Sequence, residues 1–326
     1  PGANPNAAHH AGGADLRVTD FIAGRYRDQP ELLIAMSDID PGARIGDFIV
    51  ESCLGVGGMG SVYAARHQQS GAEVALKIMH ANSENHEVLR RRFLREARAT
   101  MALSHPNLIR IVSSFEHAGE PVIAMERLRG VSLKDYLKGH GKLPFPEVAG
   151  IFVRIVSGVG SAHALGLVHR DLKPDNVFLL EDAPHVKVLD FGIAKLNDPG
   201  TASAEPKLTR AGLVCGTPEY MSPEQARGVE LDSRSDLYSV GVILYQMVTG
   251  LLPFESDTPI GIVTKHLTET PVSPRQKRPE AAISPALESL IIRTMSKDPN
   301  QRPPTAEQMR QELLACVNSD AAPATE

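Results

Sequence analysis

The sequence is poor in cysteine: Cys53, Cys215 and Cys316 are its only three, and no two form a C-x-x-C pair. That excludes a disulfide framework and a cysteine zinc site, and it suits a reducing compartment. Basic residues are not in surplus either. The 34 Lys and Arg against 39 Asp and Glu leave a formal charge of −5, which gives no support for a nucleic-acid-binding face. Long apolar runs are missing as well. The longest, near 240–254, is broken by Gln246 and Thr249 and is too short to span a bilayer. Residues 1–14 lack a basic start followed by an apolar stretch, so no signal peptide is read there. The expectation is a cytosolic chain with no membrane segment, or the cytosolic part of a longer, membrane-anchored protein. No internal repeat is found.

What is present suits a soluble globular protein. Apolar residues make up 42% and charged residues 22% of 326 positions, enough for about two domains or lobes. Residues 1–45 read as a largely disordered extension: 1–14 are all Ala, Gly, Pro, Asn and His, which bury too little surface, and the rest is more mixed. "ELLIAM" within it is apolar enough to dock, and His9 and His10 read as tail residues rather than metal ligands. From 46 onward the pattern becomes strand, glycine loop, strand, turn, strand: "DFIVESCL", "SVYAARH", "QSG", "EVALKIM". Residues 86–103 read as a helix, with Leu89, Phe93, Ala97 and Met101 at spacings of four. "HPNLIRIVSSFE" and "PVIAMERL" read as two further strands. Beyond 130 helices dominate. "SDLYSVGVILYQMVTG" is apolar nearly all round and belongs inside. Thr305 and Gln308 give a capping signature for a last helix of about three turns, and 318–326 reads as a frayed tail.

"GVGGMGSVY" sets Gly55, Gly57 and Gly60 in the pattern G-x-G-x-x-G. Glycine lets a backbone approach a phosphate, since no Cβ intervenes. A dinucleotide fold must open a helix after these glycines. Here Ser-Val-Tyr-Ala-Ala-Arg follows, alternating and β-branched, so a hairpin is predicted instead. A glycine-rich turn without a ligand is the remaining alternative, and the rest of the chain argues against it.

With "VALK", a helix carrying "REAR", "HRDLKPDN", "DFG" and "GTPEYMSPE" following in order, the chain resembles the protein-kinase family over roughly 46–315. The Gly-Gly-Met-Gly form is similar to bacterial Ser/Thr protein kinases. The resemblance implies an α+β, bilobal fold. Its N-lobe, residues 46–128, is a small, mainly antiparallel sheet with one helix. Its C-lobe, residues 129–317, is larger and mainly helical.

The resemblance also implies roles. Backbone groups of Leu54, Gly55, Gly57, Gly58 and Gly60 cover the ATP phosphates, and Lys77 reaches the α- and β-phosphates. Lys77 is the one residue that breaks an apolar run. Glu96 holds Lys77 by an ion pair, although a surface pair with Arg92 is open to it. Asp171 accepts or orients the acceptor hydroxyl proton, and Lys173 stabilises the transferring phosphoryl. Asn176 and Asp190 hold Mg²⁺ (or Mn²⁺) through oxygen, as a hard cation prefers. Val62 and Ala75 form the roof of the adenine slot and Phe178 its floor. Met125 is the gatekeeper, and Glu126 and Leu128 are the hinge. Ordinary core packing is compatible with all of these apolar positions. Glu224 pairs with Arg302, and Asp236 accepts backbone donors from the catalytic loop. "SPE" stands where "APE" is commoner, a small change.

Lys173 and Thr217 resemble Ser/Thr kinases rather than tyrosine kinases, and Thr217 positions the acceptor against Asp171. Small-molecule kinases lack a "GTPEYMSPE" segment, so protein substrates are expected. Thr201, Ser203 and Thr209 are candidate phosphorylation sites. Thr209 comes first, and its phosphate would pair with Arg170, joined by Lys195 and Arg92. Thr201 and Ser203 read equally well as solvated loop hydroxyls. Related kinases pair through their N-lobes, so a homodimer is compatible with the resemblance. The alternative function is a pseudokinase scaffold of the same fold, which requires a damaged site.

Overall fold

Alternating apolar and polar residues from 44 to 79 build most of a six-stranded antiparallel sheet, in the order β1-β2-β3-β4-β6-β5. The strands are β1 (Arg44–Ile45), β2 (Phe48–Gly57), β3 (Gly60–His67), β4 (Glu73–Met79), β5 (Ile111–His117) and β6 (Glu120–Glu126). The computed structural model describes residues 39–57, 60–79, 97, 100–181, 186–190 and 217–321. Register decides what each face carries. Val62 lies opposite Lys77, and Ala75 opposite Met125. Opposed residues share a face and side chains alternate with a period of two, so these four look the same way. Tyr63, Leu76 and Ala124 look the other way into a core with Ile45, Val50 and Val74. There Phe48 stacks on Phe115, with centroids 5.9 Å apart.

The helix read over 86–103 falls mostly outside the described residues. Ala97, Thr100 and Met101 are helical, and Ala97 packs on Ile111 and Ile123. The strand read from 105 begins only at Ile111. Asn107 draws the chain to the other lobe instead: its amide donates to Val186 O at 2.9 Å, and its carbonyl accepts from Val188 N at 2.8 Å.

The C-lobe contains α1 (Leu133–His140), α2 (Phe145–His163), α3 (Pro223–Arg227), α4 (Ser233–Thr249), α5 (Pro259–Thr268), α6 (Pro274–Lys277), α7 (Pro285–Thr294) and α8 (Ala306–Ala321). A small antiparallel sheet, β7 (Gly130–Ser132), β8 (Val177–Leu180) and β9 (Val186–Val188), lies at the cleft. Asp232 caps α4, accepting from Arg234 N, and Gly250 ends it at φ 72. Between those caps α4 is buried nearly throughout, as its all-round apolar sequence requires. α2 is long and apolar enough to cross a membrane, but here Val148, Phe152, Ile155 and Val159 bury into the lobe's core. Thr305 Oγ1 accepts from Gln308 N at 3.1 Å, the cap expected for α8. That helix runs 16 residues, longer than three turns and past 317, because Met309, Leu313 and Cys316 keep it on the core.

Candidate active site

The glycine motif is a hairpin. β2 and β3 pair Gly55 with Val62, Val56 with Ser61 and Gly57 with Gly60. No helix follows Gly60, so a dinucleotide-type loop is excluded. Gly60 has a structural reason of its own. It sits at φ +156, and a Cβ there would come within 2.0 Å of Ile78 O. The hairpin thus closes tightly on β4, the strand that carries Lys77. Gly58 lies outside the described residues.

Lys77 sits on the cleft side of β4. Its Nζ lies 2.7 Å from Asp190 Oδ1, which joins the two lobes. Asp190 holds a left-handed backbone, φ 50, just beyond Leu189, which follows β9. Burial pushes its carboxyl pKa up, but the Lys77 charge and hydrogen bond, with His169, outweigh that and hold it below the usual value. The partner expected for Lys77, Glu96, lies outside the described residues.

Below the cleft, Lys173 Nζ donates to Asp171 Oδ2 at 2.7 Å, and Lys173 is 5% exposed. Asn176 Nδ2 donates to Asp171 O at 2.8 Å and to Asp171 Oδ2 at 3.3 Å. Leu189 N donates to Asn176 O at 2.8 Å, which sets Asn176 beside Asp190. The loop is held from beneath by Asp236, which is 1% exposed. Its carboxylate accepts from His169 N at 2.7 Å and Arg170 N at 2.9 Å, and meets His163 Nε2 at 2.8 Å. Arg170 takes φ 66 there, and its Nε is buried with no hydrogen-bond partner among the described residues.

Thr217 lines one small cavity with Asp171, Lys173, Arg170, Tyr220 and Gln225. Glu224 and Arg302 form a buried bidentate pair, at 2.6 and 2.9 Å, to which Ser235 Oγ adds a bond at 2.7 Å. Burial raises the Glu224 pKa, but Arg302 outweighs it and holds the carboxyl below its usual range.

Of the residues read as lining an adenine slot, Ala75 and Phe178 are buried, while Leu54, Val62, Met125 and Leu128 are half-buried. Glu126 N donates to Arg110 O at 2.9 Å, so its amide donor is not open to a base. Sequence reasoning missed the Glu126 side chain. Its Oε1 accepts from Lys187 Nζ at 2.7 Å and Arg110 N at 2.8 Å, tying the end of β6 to β9. A lysine inside the apolar strand "HVKVLD" was the available signal. Thr201, Ser203, Thr209, Arg92 and Lys195 lie outside the described residues.

Asp171, Asn176 and Asp190 offer only hard donors suited to a divalent ion, namely carboxylate and amide oxygen. With two ammonium groups beside them, the arrangement can hold a polyphosphate and orient a hydroxyl.

The protein kinase domain family matches residues 48–314. The Ser/Thr protein kinase Pkn3 of Myxococcus xanthus is 49% identical over 82% of the chain and 49% of its own length. PrkC of Bacillus subtilis is 36% identical over 86% of the chain and 42% of its own length. The chain thus spans less than half of either relative. The kinase domain of Mycobacterium tuberculosis PknI superposes with a TM-score of 0.67 at 24% identity, covering 85% of the chain and 99% of that domain. Rad53 in complex with AMP-PNP superposes with a TM-score of 0.67 at 26% identity, covering 82% of the chain and 64% of its own.

Proposed function

The chain belongs to the protein kinase family, and we propose from that premise that it transfers the γ-phosphoryl of Mg·ATP to Ser and Thr hydroxyls of proteins. The observation that carries this reading is the meeting of Lys77 and Asp190 at 2.7 Å across the cleft, above the Asp171–Lys173 pair. A scaffold reading requires a broken constellation, whereas here Lys77 pairs with Asp190, and Lys173 and Asn176 both pair with Asp171.

Phosphoryl transfer needs positioning and charge stabilisation more than covalent help from the protein. Asn176 and Asp190 would hold Mg²⁺, which supplies charge neutralisation at the phosphate oxygens when bound. Lys77 orients the phosphates from above. Asp171 orients the acceptor hydroxyl and takes its proton. Lys173 offsets charge on the transferring group. Thr217, lining the same cavity as Asp171, places a Ser or Thr acceptor there.

The Arg170 Nε, without a partner among the described residues, supports a regulatory role for Thr209, whose phosphate would pair with that guanidinium and order the loop. Mass spectrometry of active protein with an unmodified loop would sink that part. Exposed Ile49 and Val112 on N-lobe strands support pairing of two copies there, tested by sedimentation at micromolar concentration.

The decisive test of activity is incubation with labelled ATP and Mg²⁺, native protein beside Asp171→Asn. Transfer by the native protein and a loss of at least about 100-fold in the variant is expected. Equal incorporation by both removes Asp171 from its role.

A further inference from the structure

Beneath the segment that follows Thr217 lies a buried polar chain that the transfer chemistry does not use. His266 of α5 and Tyr238 of α4 are both 0% exposed. His266 Nε2 lies 2.9 Å from Glu219 O, and Tyr238 OH lies 2.8 Å from His266 Nδ1. Lys297 Nζ lies 3.2 Å from Tyr238 OH and 4.5 Å from the centre of the Phe254 ring. Phe254 in turn sits edge-on to His266, with centroids 4.9 Å apart.

The direction of each bond follows from the first. A carbonyl oxygen only accepts, so Nε2 carries the proton. In a neutral ring Nδ1 must then accept, so the Tyr238 hydroxyl donates to it. A hydroxyl lone pair is left for Lys297, which only donates. The ring stays neutral at ordinary pH: burial, then the Lys297 charge, pull its pKa to about 4 against the Glu219 carbonyl. Other charged groups acting on the chain are Arg302, Glu224, Arg227 and Glu269.

A buried histidine is often only a satisfied core residue. What distinguishes this one is its target, an irregular backbone next to the acceptor cavity. The turn Pro218–Tyr220 follows Thr217 directly, and Thr217 and Tyr220 line that cavity with Asp171. Two neighbouring carbonyls of the turn are bound from below, Glu219 O by His266 and Tyr220 O by Ser239 Oγ at 2.7 Å.

We propose that Lys297, Tyr238 and His266 form a relay that fixes the backbone after Thr217 at the height a protein acceptor requires, which makes His266 and Tyr238 positioning residues for acceptor binding. The proposal rests on the protein-kinase reading, since it needs a protein acceptor. Nucleotide contacts lie on other elements, so the relay acts on one substrate only.

The test compares native protein, Tyr238→Phe, His266→Leu and His266→Gln, with myelin basic protein as acceptor. Gln retains an amide donor for Glu219 O and an acceptor for Tyr238 OH. Tyr238→Phe and His266→Leu are expected to raise KM for the acceptor about fivefold, with KM for ATP within about twofold of native. His266→Gln is expected to restore the acceptor KM. Equal rises in both KM values, or a loss confined to kcat in proportion to unfolded protein, overturn the relay. So does an unchanged acceptor KM. Absence of transfer by the native protein overturns the kinase reading itself and is told apart by that control.

Discussion

Lys77 Nζ stands 2.7 Å from Asp190 Oδ1, so a strand of one lobe and the end of a hairpin in the other share an ion pair. Both side chains keep contact with the cleft, at 19% and 40% exposure. The pair sits where phosphate oxygens and a cation would separate its members. Lys77→Met should therefore remove phosphoryl transfer by about 10²–10³-fold. Labelled-phosphate incorporation measures this, with a thermal melt as the check that the fold persists.

Gly60→Ala should destabilise the hairpin over the site. Its Cβ would lie 2.0 Å from Ile78 O at a φ that side chains avoid. The expected cost is about 2 kcal/mol or more, read from the urea midpoint. An unchanged midpoint would show that β3 and β4 can part without penalty.

Arg302→Met should be among the most damaging changes outside the cleft. It leaves Glu224, 6% exposed, without its cation. Breaking a buried pair from one side costs about 3–5 kcal/mol. Chemical unfolding checks this.

His266 should give a distinct acid sensitivity. Its pKa falls from 6.5 to about 4 on folding, by burial and then by the Lys297 charge. Between those values the unfolded chain binds the proton and the folded chain does not. Stability therefore drops as pH falls from 6.5 to 4, by about 3 kcal/mol from this group. The native curve minus that of His266→Gln isolates the effect, because the carboxylates titrate in both. Parallel curves would refute it.

Much of this protein was legible in its sequence. The alternation around Lys77 placed it on a strand, and "SVYAARH" after Gly60 marked a hairpin rather than a helix start. The ordered motifs carried the resemblance to protein kinases, and that resemblance implied which residues share one site. The strand read at 105 was too long because Asn107 finds its partners on β8–β9's hairpin, a long-range choice no local pattern records. Glu126 read as a hinge backbone, while its side chain binds Lys187 from a strand far along the chain.

Local pattern in the sequence determined most of the elements and the glycine hairpin, and the ordered motifs gave the family resemblance that implied which residues could do chemistry, since propensity, period and motif spacing act over a few positions. Tertiary structure decided which of them meet. It brought Lys77 to Asp190, laid Glu224 against Arg302, and stacked His266, Tyr238 and Lys297 under Glu219. Those pairings depend on how helices and strands distant in sequence bury their apolar faces together, and only that packing fixes distances between polar groups to within a hydrogen bond.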